Sequence, residues 1–189
     1  VTYLSDDQLM LKVVSQCTGS FTELVSRHVD ALHAYAYRLS GDASTADDLV
    51  QETWVKVWTH ASSYKVGKVK LTTWLHRVLH NKFVDHLRKQ SKFSRSEDYA
   101  NLALQAPASF EPEQQSQQRD TIDEFAQVLA QVPENQRAAL LLVHRQGFSI
   151  GETAEILNLS NAATQSLLAR GRRAIRSADL NLRRETHEH

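Results

Sequence analysis

Apolar residues recur at intervals of three and four along most of this chain, which is the spacing of amphipathic helices. Ser5 is placed to cap a first helix carrying Leu9, Lys12 and Val13. A second helix is predicted over about 20–40, with Phe21, Leu24, Val25, Leu32, Tyr35, Ala36 and Leu39 in register and Gly41 as its stop. Ser44 or Thr45 is expected to cap a third, with Asp47 and Asp48 in its first turn, where carboxylates favour the positive helix end. Its buried stripe is Val50, Trp54, Val57 and Ala61. The stretch SSYKVGKVK (62–70) breaks the pattern and reads as a basic loop. A fourth helix follows from about Leu71 to Lys89, with Leu71, Trp74, Leu75, Val78, Leu79, Phe83 and Leu87 as core face. This spacing makes Trp74 a core residue rather than a stacking one.

From about residue 91 the character changes to Gln, Ser, Ala and acidic residues with Pro107 and Pro112, the signature of a flexible linker. The expected organisation is all-α: two small helical domains, 1–92 and 121–189, joined by an acidic flexible linker over 93–120. In the second domain a helix is expected from Thr121 to about Gln131, stopping before Pro133. Another spans Glu134 to Arg145 and ends at Gly147.

Ser149 and Glu152 then form a capping box, opening a short helix from Ile150 to Leu157. Asn158 tolerates the left-handed backbone that a tight turn demands. Ser160 caps a further helix, from Asn161 to about Ser177, which begins with small polar residues and continues into Arg170, Arg172, Arg173 and Arg176. Two helices joined by a tight turn, the second cationic, are the grammar of a DNA-reading helix-turn-helix. Small residues suit proximity to base edges, and arginines suit phosphates.

Composition agrees with a helical fold: six Gly and three Pro in 189 residues. The net charge is zero, 22 basic against 22 acidic residues, yet the charges are segregated. Residues 65–95 hold nine Lys/Arg against Asp85 alone, and 162–184 hold six Arg against Asp179 alone. Acidic residues dominate 41–64 and 96–120. Binding follows the local field rather than the sum, so nucleic acid remains a partner. The longest apolar run, Ala138 to Val143, is far too short to span a membrane. The segment VTYLSDDQLM lacks the pattern of a secretory signal. Cys17, the single cysteine, reads as a reduced core thiol. His76 and His80 sit four apart on one helix, but a third ligand at usable spacing is missing, so no metal or other cofactor is expected. No catalytic triad order, phosphate-binding glycine loop or carboxylate dyad stands out, so no enzyme is expected.

Three segments in order carry a family resemblance. DDLVQETWVKVW (47–58), TWLHRV (73–78) continuing through Asn81 and Asp85 to Leu87-Arg88-Lys89, and VPENQR (132–137) followed by Gly147-Phe148-Ser149 and ETAEIL (152–157) together resemble the extracytoplasmic-function sigma factors of bacterial RNA polymerase. The resemblance covers about residues 5–180. It implies promoter-specific transcription initiation in the cytoplasm, core RNA polymerase and promoter DNA as partners, and restraint by an anti-sigma factor, usually membrane-tethered. A stress or metal-resistance regulon is the implied setting.

By the same resemblance, Asp48, Gln51, Glu52, Val55 and Trp58 would dock on the polymerase. The spacing itself shows only that Asp48, Gln51 and Glu52 share a helix face, and Trp58 is open to a core or a rim role. Lys65, Lys68, Arg77, Asn81, Lys82, Arg88 and Lys89 would engage the minus-ten element, with Ser63–Lys70 as reading loop and Asn81 lining the pocket for an extruded base. Gln165, Ser166, Arg170, Arg172 and Arg173 would meet the minus-thirty-five element. Gln165 and Leu167 depart from the family's usual basic residues there, which leaves the sequence read at that element open. The class-level alternative is a helix-turn-helix regulator whose N-terminal helices form a sensor or dimerisation module.

Overall fold

In a computed structural model, residues 4–97 and 128–185 are described. They are helical apart from short connections: α1 (Asp6–Val14), α2 (Thr18–Ser40), α3 (Ala43–Thr59), a 3-10 turn (Ala61–Ser63), α4 (Leu71–Glu97), α5 (Glu134–His144), α6 (Ile150–Leu157) and α7 (Asn161–Glu185). Most of the expected linker and the start of the helix expected from Thr121 lie outside the described residues. Residues 128–130 are helical. Among the described residues no helix is long and apolar enough to cross a membrane.

Local chemistry explains the boundaries. Ser5 and Gln8 form a reciprocal capping box on α1. Helix α2 ends at Gly41, whose backbone is left-handed at φ 75°. The cap of α3 differs from expectation. Asp42, not Ser44 or Thr45, takes that position, and its carboxylate accepts from the Thr45 N–H at 2.7 Å. The helix therefore starts earlier, and Asp47 and Asp48 fall beyond its first turn. Cys17 is exposed at the N-cap of α2 rather than in a core. Helix α4 continues past Lys89 to Glu97, and α7 past Ser177 to Glu185.

In the N-terminal part, Leu24, Leu32, Tyr35 and Leu39 of α2 pack with Leu49, Val50, Trp54 and Val57 of α3 and Leu75, Leu79 and Phe83 of α4. Each fully buried aliphatic chain contributes about 1.5–3 kcal/mol of hydrophobic stabilisation. Arg27 pins α1 across α2 through Asp6 at 2.9 Å and the Leu4 carbonyl at 2.9 Å. In the C-terminal part, Leu140, Leu141 and Leu142 of α5 pack with Ile156 and Leu157 of α6 and Leu168 of α7.

The two parts also pack on each other. Helix α6 lies against α4 and α5 against α2. Phe148 meets the edge of the His76 ring, with centroids 4.8 Å apart. Arg137 donates to the Leu39 carbonyl at 3.0 Å, one of the carbonyls that the last turn of α2 leaves without a helical partner. Gln146 donates to the Ala31 carbonyl at 3.3 Å. Lys70 pairs with Glu152 at 2.9 Å, and Asn158 donates to Asn81 at 3.2 Å.

His76 and His80 are thus buried. The Nδ1 of His76 donates to the Thr72 carbonyl at 2.8 Å, and the Nδ1 of His80 lies 3.3 Å from the Tyr35 hydroxyl. Among the described residues, no group of three or more His, Cys, Asp or Glu is gathered as a metal site would need. Burial pushes both imidazoles down to about 4.

That burial has a measurable consequence. An unfolded histidine takes up its proton near pH 6.5, while these two remain neutral to about pH 4. Within that window the unfolded chain binds more protons, so stability is full above it and declines as pH falls. The limiting slope is about 1.4 kcal/mol per pH unit for each histidine. The carboxyls of Asp42, Glu52 and Glu152 are held below their usual range, so whatever they add is fully present across this window and is lost only at lower pH. Urea midpoints measured at pH 7 and pH 5 should fall for the native chain and much less for the double variant His76→Gln/His80→Gln; equal slopes would remove these histidines as the cause.

Candidate functional site

The geometry of α3 follows from its 3.6-residue period. With Leu49, Val50, Trp54 and Val57 turned inward, Asp48, Gln51 and Glu52 are exposed on the opposite side. Val55 extends this face and is 62% exposed, a large aliphatic side chain left in water. Trp58 is half-buried, edge-on to Phe21 with centroids 5.0 Å apart, and packs against the core with one side left to solvent.

Helix α4 borders this face. Lys82 donates to Glu52 at 2.9 Å and holds its carboxyl below the usual range. Such a solvent-accessible pair is worth only about 0–1 kcal/mol, so an incoming partner can replace either half. Beside it opens a groove of about 370 Å³ lined by Asp48, Arg88 and Lys89 among others. Arg77 is half-buried, while Arg88 and Lys89 are exposed.

The basic loop forms a turn in which the Lys68 N–H donates to the Lys65 carbonyl at 3.2 Å. Gly67 supplies the positive φ of 77° that this turn requires. Lys65, Val66 and Lys68 are all exposed on it. Asn81 lies on the outer face of α4, with its amide engaged by Asn158 of the neighbouring domain.

The helix-turn-helix is built as its residues prescribe. Ser149 and Glu152 cap α6 reciprocally, Asn158 is left-handed at φ 55°, and Ser160 accepts from the Ala163 N–H at 3.1 Å. Thr164, Leu168 and Gly171 face inward from α7. Gln165, Ser166, Arg170, Arg172 and Arg173 are all exposed, and at 100° per residue they share one outward arc.

The structure therefore brings the α3 set together with Lys82, Arg88 and Lys89 on one flank, and places the α7 set on a separate surface. Two contributors escaped sequence reasoning. Asn158, by sequence only a turn residue, also donates a hydrogen bond to Asn81. Gly171 is the other: a Cβ there would stand 2.8 Å from Leu140 Cδ1 and 3.1 Å from its Cγ. Its absent side chain lets α7 lie on α5 and aims the arginines outward. A lone glycine inside a helical, arginine-rich run was the available signal.

Similarity to known proteins assigns these two parts. Sigma-70 region 2 matches residues 24–93, and sigma-70 region 4 matches residues 122–175. A helical region 2 followed by a helix-turn-helix region 4 defines a sigma-70-type factor, a non-enzymatic class. The ECF RNA polymerase sigma factor EcfG of Rhodopseudomonas palustris is 33% identical over 157 residues, covering 82% of this chain and 82% of the relative. SigE of Mycolicibacterium smegmatis, also an ECF sigma factor, is 32% identical, covering 83% of this chain and 60% of the relative. The sigma factor RpoE of Bartonella quintana, solved in complex with the anti-sigma factor NepR, superposes with a TM-score of 0.68 at 26% identity, covering 84% and 95% of the two chains. The chain belongs to the ECF RNA polymerase sigma factors.

The seat of Gly171 predicts a directional pair. Gly171→Val should overpack α5 against α7 and cost about 1–3 kcal/mol. Gly151→Ala, whose new Cβ meets nothing nearer than Ser149 Oγ at 3.9 Å, should gain about 0.5–1 kcal/mol. Denaturation of both variants checks the pair, and an unchanged Gly171→Val midpoint would contradict the packing.

Proposed function

We propose that this sigma factor docks on core RNA polymerase through Asp48, Gln51, Glu52, Val55 and Trp58, and reads promoter DNA with two cationic surfaces. The exposed carboxylate-and-amide face of α3 beside an exposed valine supports the docking role, because charge complementarity sets orientation and encounter rate. Lys65, Lys68, Arg77, Asn81, Lys82, Arg88 and Lys89 would hold and open the minus-ten element, with Asn81 offering both donor and acceptor to a base edge. Gln165, Ser166, Arg170, Arg172 and Arg173 would meet the minus-thirty-five element, Gln165 by pairing with adenine.

The observation that carries this reading is the continuity of the α3 face with the basic flank of α4. One docking event would bring that flank to DNA. In transcription assays with sigma-free core polymerase, the full chain should support promoter-specific run-off. Changing Asp48, Gln51 and Glu52 together to Ala should lower it roughly tenfold or more, the effect of losing about 1.4 kcal/mol of docking energy. Binding of promoter DNA that is equally tight without polymerase would favour a simple regulator instead.

Negative control by an anti-sigma factor fits the closed arrangement of the two domains. With Asn158 bonded to Asn81 and α6 against α4, Asn81 is engaged from the neighbouring domain while Arg88 and Lys89 stay exposed, and a partner that clamps α4 to α6 would hold that closure. Its membrane tethering, the cytoplasmic setting and a stress or metal-resistance regulon rest on family membership alone. Val84 and Leu159 line one groove of about 290 Å³ between α4 and the helix-turn-helix. Cysteines placed at both positions in a Cys17→Ser background, bridged by a short cleavable thiol cross-linker, should silence run-off. Cleaving the bridge should restore it. Full activity of the bridged protein would show that the domains need not part.

A further inference from the structure

The basic turn at 65–68 is held by a side chain with no assigned role. Tyr64 follows the 3-10 turn and is only 7% exposed, its ring packed against Trp74 with centroids 5.5 Å apart. Its hydroxyl donates to Asp7 Oδ1 of α1 at 2.5 Å, and the carbonyl of Val69 lies 3.1 Å from the same oxygen. The phenol thus stands at both ends of the turn: its own backbone enters it, and its hydroxyl meets the backbone that leaves it.

Helix α1 supplies the anchor, and its two first-turn acids divide the work. Asp6 faces α2, bound to Arg27 at 2.9 Å and 2.7 Å from His28. Asp7 faces the loop. Helix α1 is a strut between the body of the domain and the turn, and it lies ahead of the residues that match sigma-70 region 2. What projects beyond the strut is Lys65, Val66, Gly67 and Lys68, two cations flanking an exposed valine on a glycine turn. Burial, and then Asp7, raise the Tyr64 hydroxyl above the ordinary phenol value, so it stays protonated and donating near neutral pH.

We propose that Tyr64 and Asp7 are positioning residues for minus-ten reading: their hydrogen bond fixes the shape in which the 65–68 turn meets the promoter strand. This rests on the reading of Ser63–Lys70 as the minus-ten loop. A turn held in one geometry pays less ordering entropy on capturing an unpaired strand, so the effect belongs to strand opening rather than to assembly with the polymerase.

The test uses the full chain with core polymerase. Promoter opening is read by permanganate reactivity of minus-ten thymines, and polymerase affinity is measured separately. Tyr64→Phe keeps the ring against Trp74 and removes the donor. Asp7→Ala removes the acceptor on α1 and leaves the hydroxyl only the Val69 carbonyl. Each should reduce opening about two- to tenfold, the fold-change that one net hydrogen bond represents, with polymerase affinity unchanged. The double variant should be no worse than either single one, and Asp7→Asn, which keeps an acceptor oxygen, should recover most of the opening. Unchanged opening in Tyr64→Phe, an additive double variant, or equal losses in opening and polymerase affinity would each overturn the proposal. Lys65→Ala/Lys68→Ala separates the two levels. If it impairs opening while Tyr64→Phe does not, only the positioning role fails; if it leaves opening intact, the loop assignment fails and the proposal with it.

Discussion

Burial of α4 from two sides is the constraint on which the remaining arrangement rests. Leu75, Leu79 and Phe83 close it against the N-terminal helices, while His76 meets Phe148 and Asn81 meets Asn158 on the side of α6. A helix covered on one face by its own domain presents the other to solvent or to a partner. Here the neighbouring domain occupies part of that second face. Buried apolar residues of both parts join in one cluster, and the polar contacts across it are an aromatic edge on an imidazole, single hydrogen bonds and the Lys70–Glu152 pair.

Electrostatics in this protein are local. Zero net charge conceals an acidic α3 face beside a cationic α4 flank and an arginine-bearing α7. The Glu52–Lys82 pair sits where the first two meet, with both groups retaining solvent contact. That contact keeps its net worth small.

Stiffness is placed where reading is proposed. The capping box of α6, the left-handed Asn158 and the Ser160 cap hold the helix-turn-helix by backbone chemistry. The basic turn is held by a buried phenol and by α1. In each case a backbone held in place carries exposed polar or cationic side chains.

Much of this was readable from residue order. Helical period placed Leu24, Trp54 and Trp74 inward, and Ser149 with Glu152 announced the start of α6. The cap of α3 was misplaced by two to three positions because Asp42, Ser44 and Thr45 all compete for that site, and only the backbone path decides among them. His76 and His80 share the spacing of a ligand pair without a third ligand in the sequence; that both rings are buried between two packed faces is visible only with Phe148, far along the chain. Gly171 needed the position of Leu140 to acquire a meaning, and Tyr64 needed Asp7. Sequence by itself determined the presence of the helices, the caps at Ser5, Gly41, Ser149 and Ser160, the order of the two domains and the family, because those depend on near neighbours and on short motifs. Tertiary structure alone decided which faces are doubly covered and which side chains brace the turn, because those depend on residues that lie far apart in the chain and meet only when it folds.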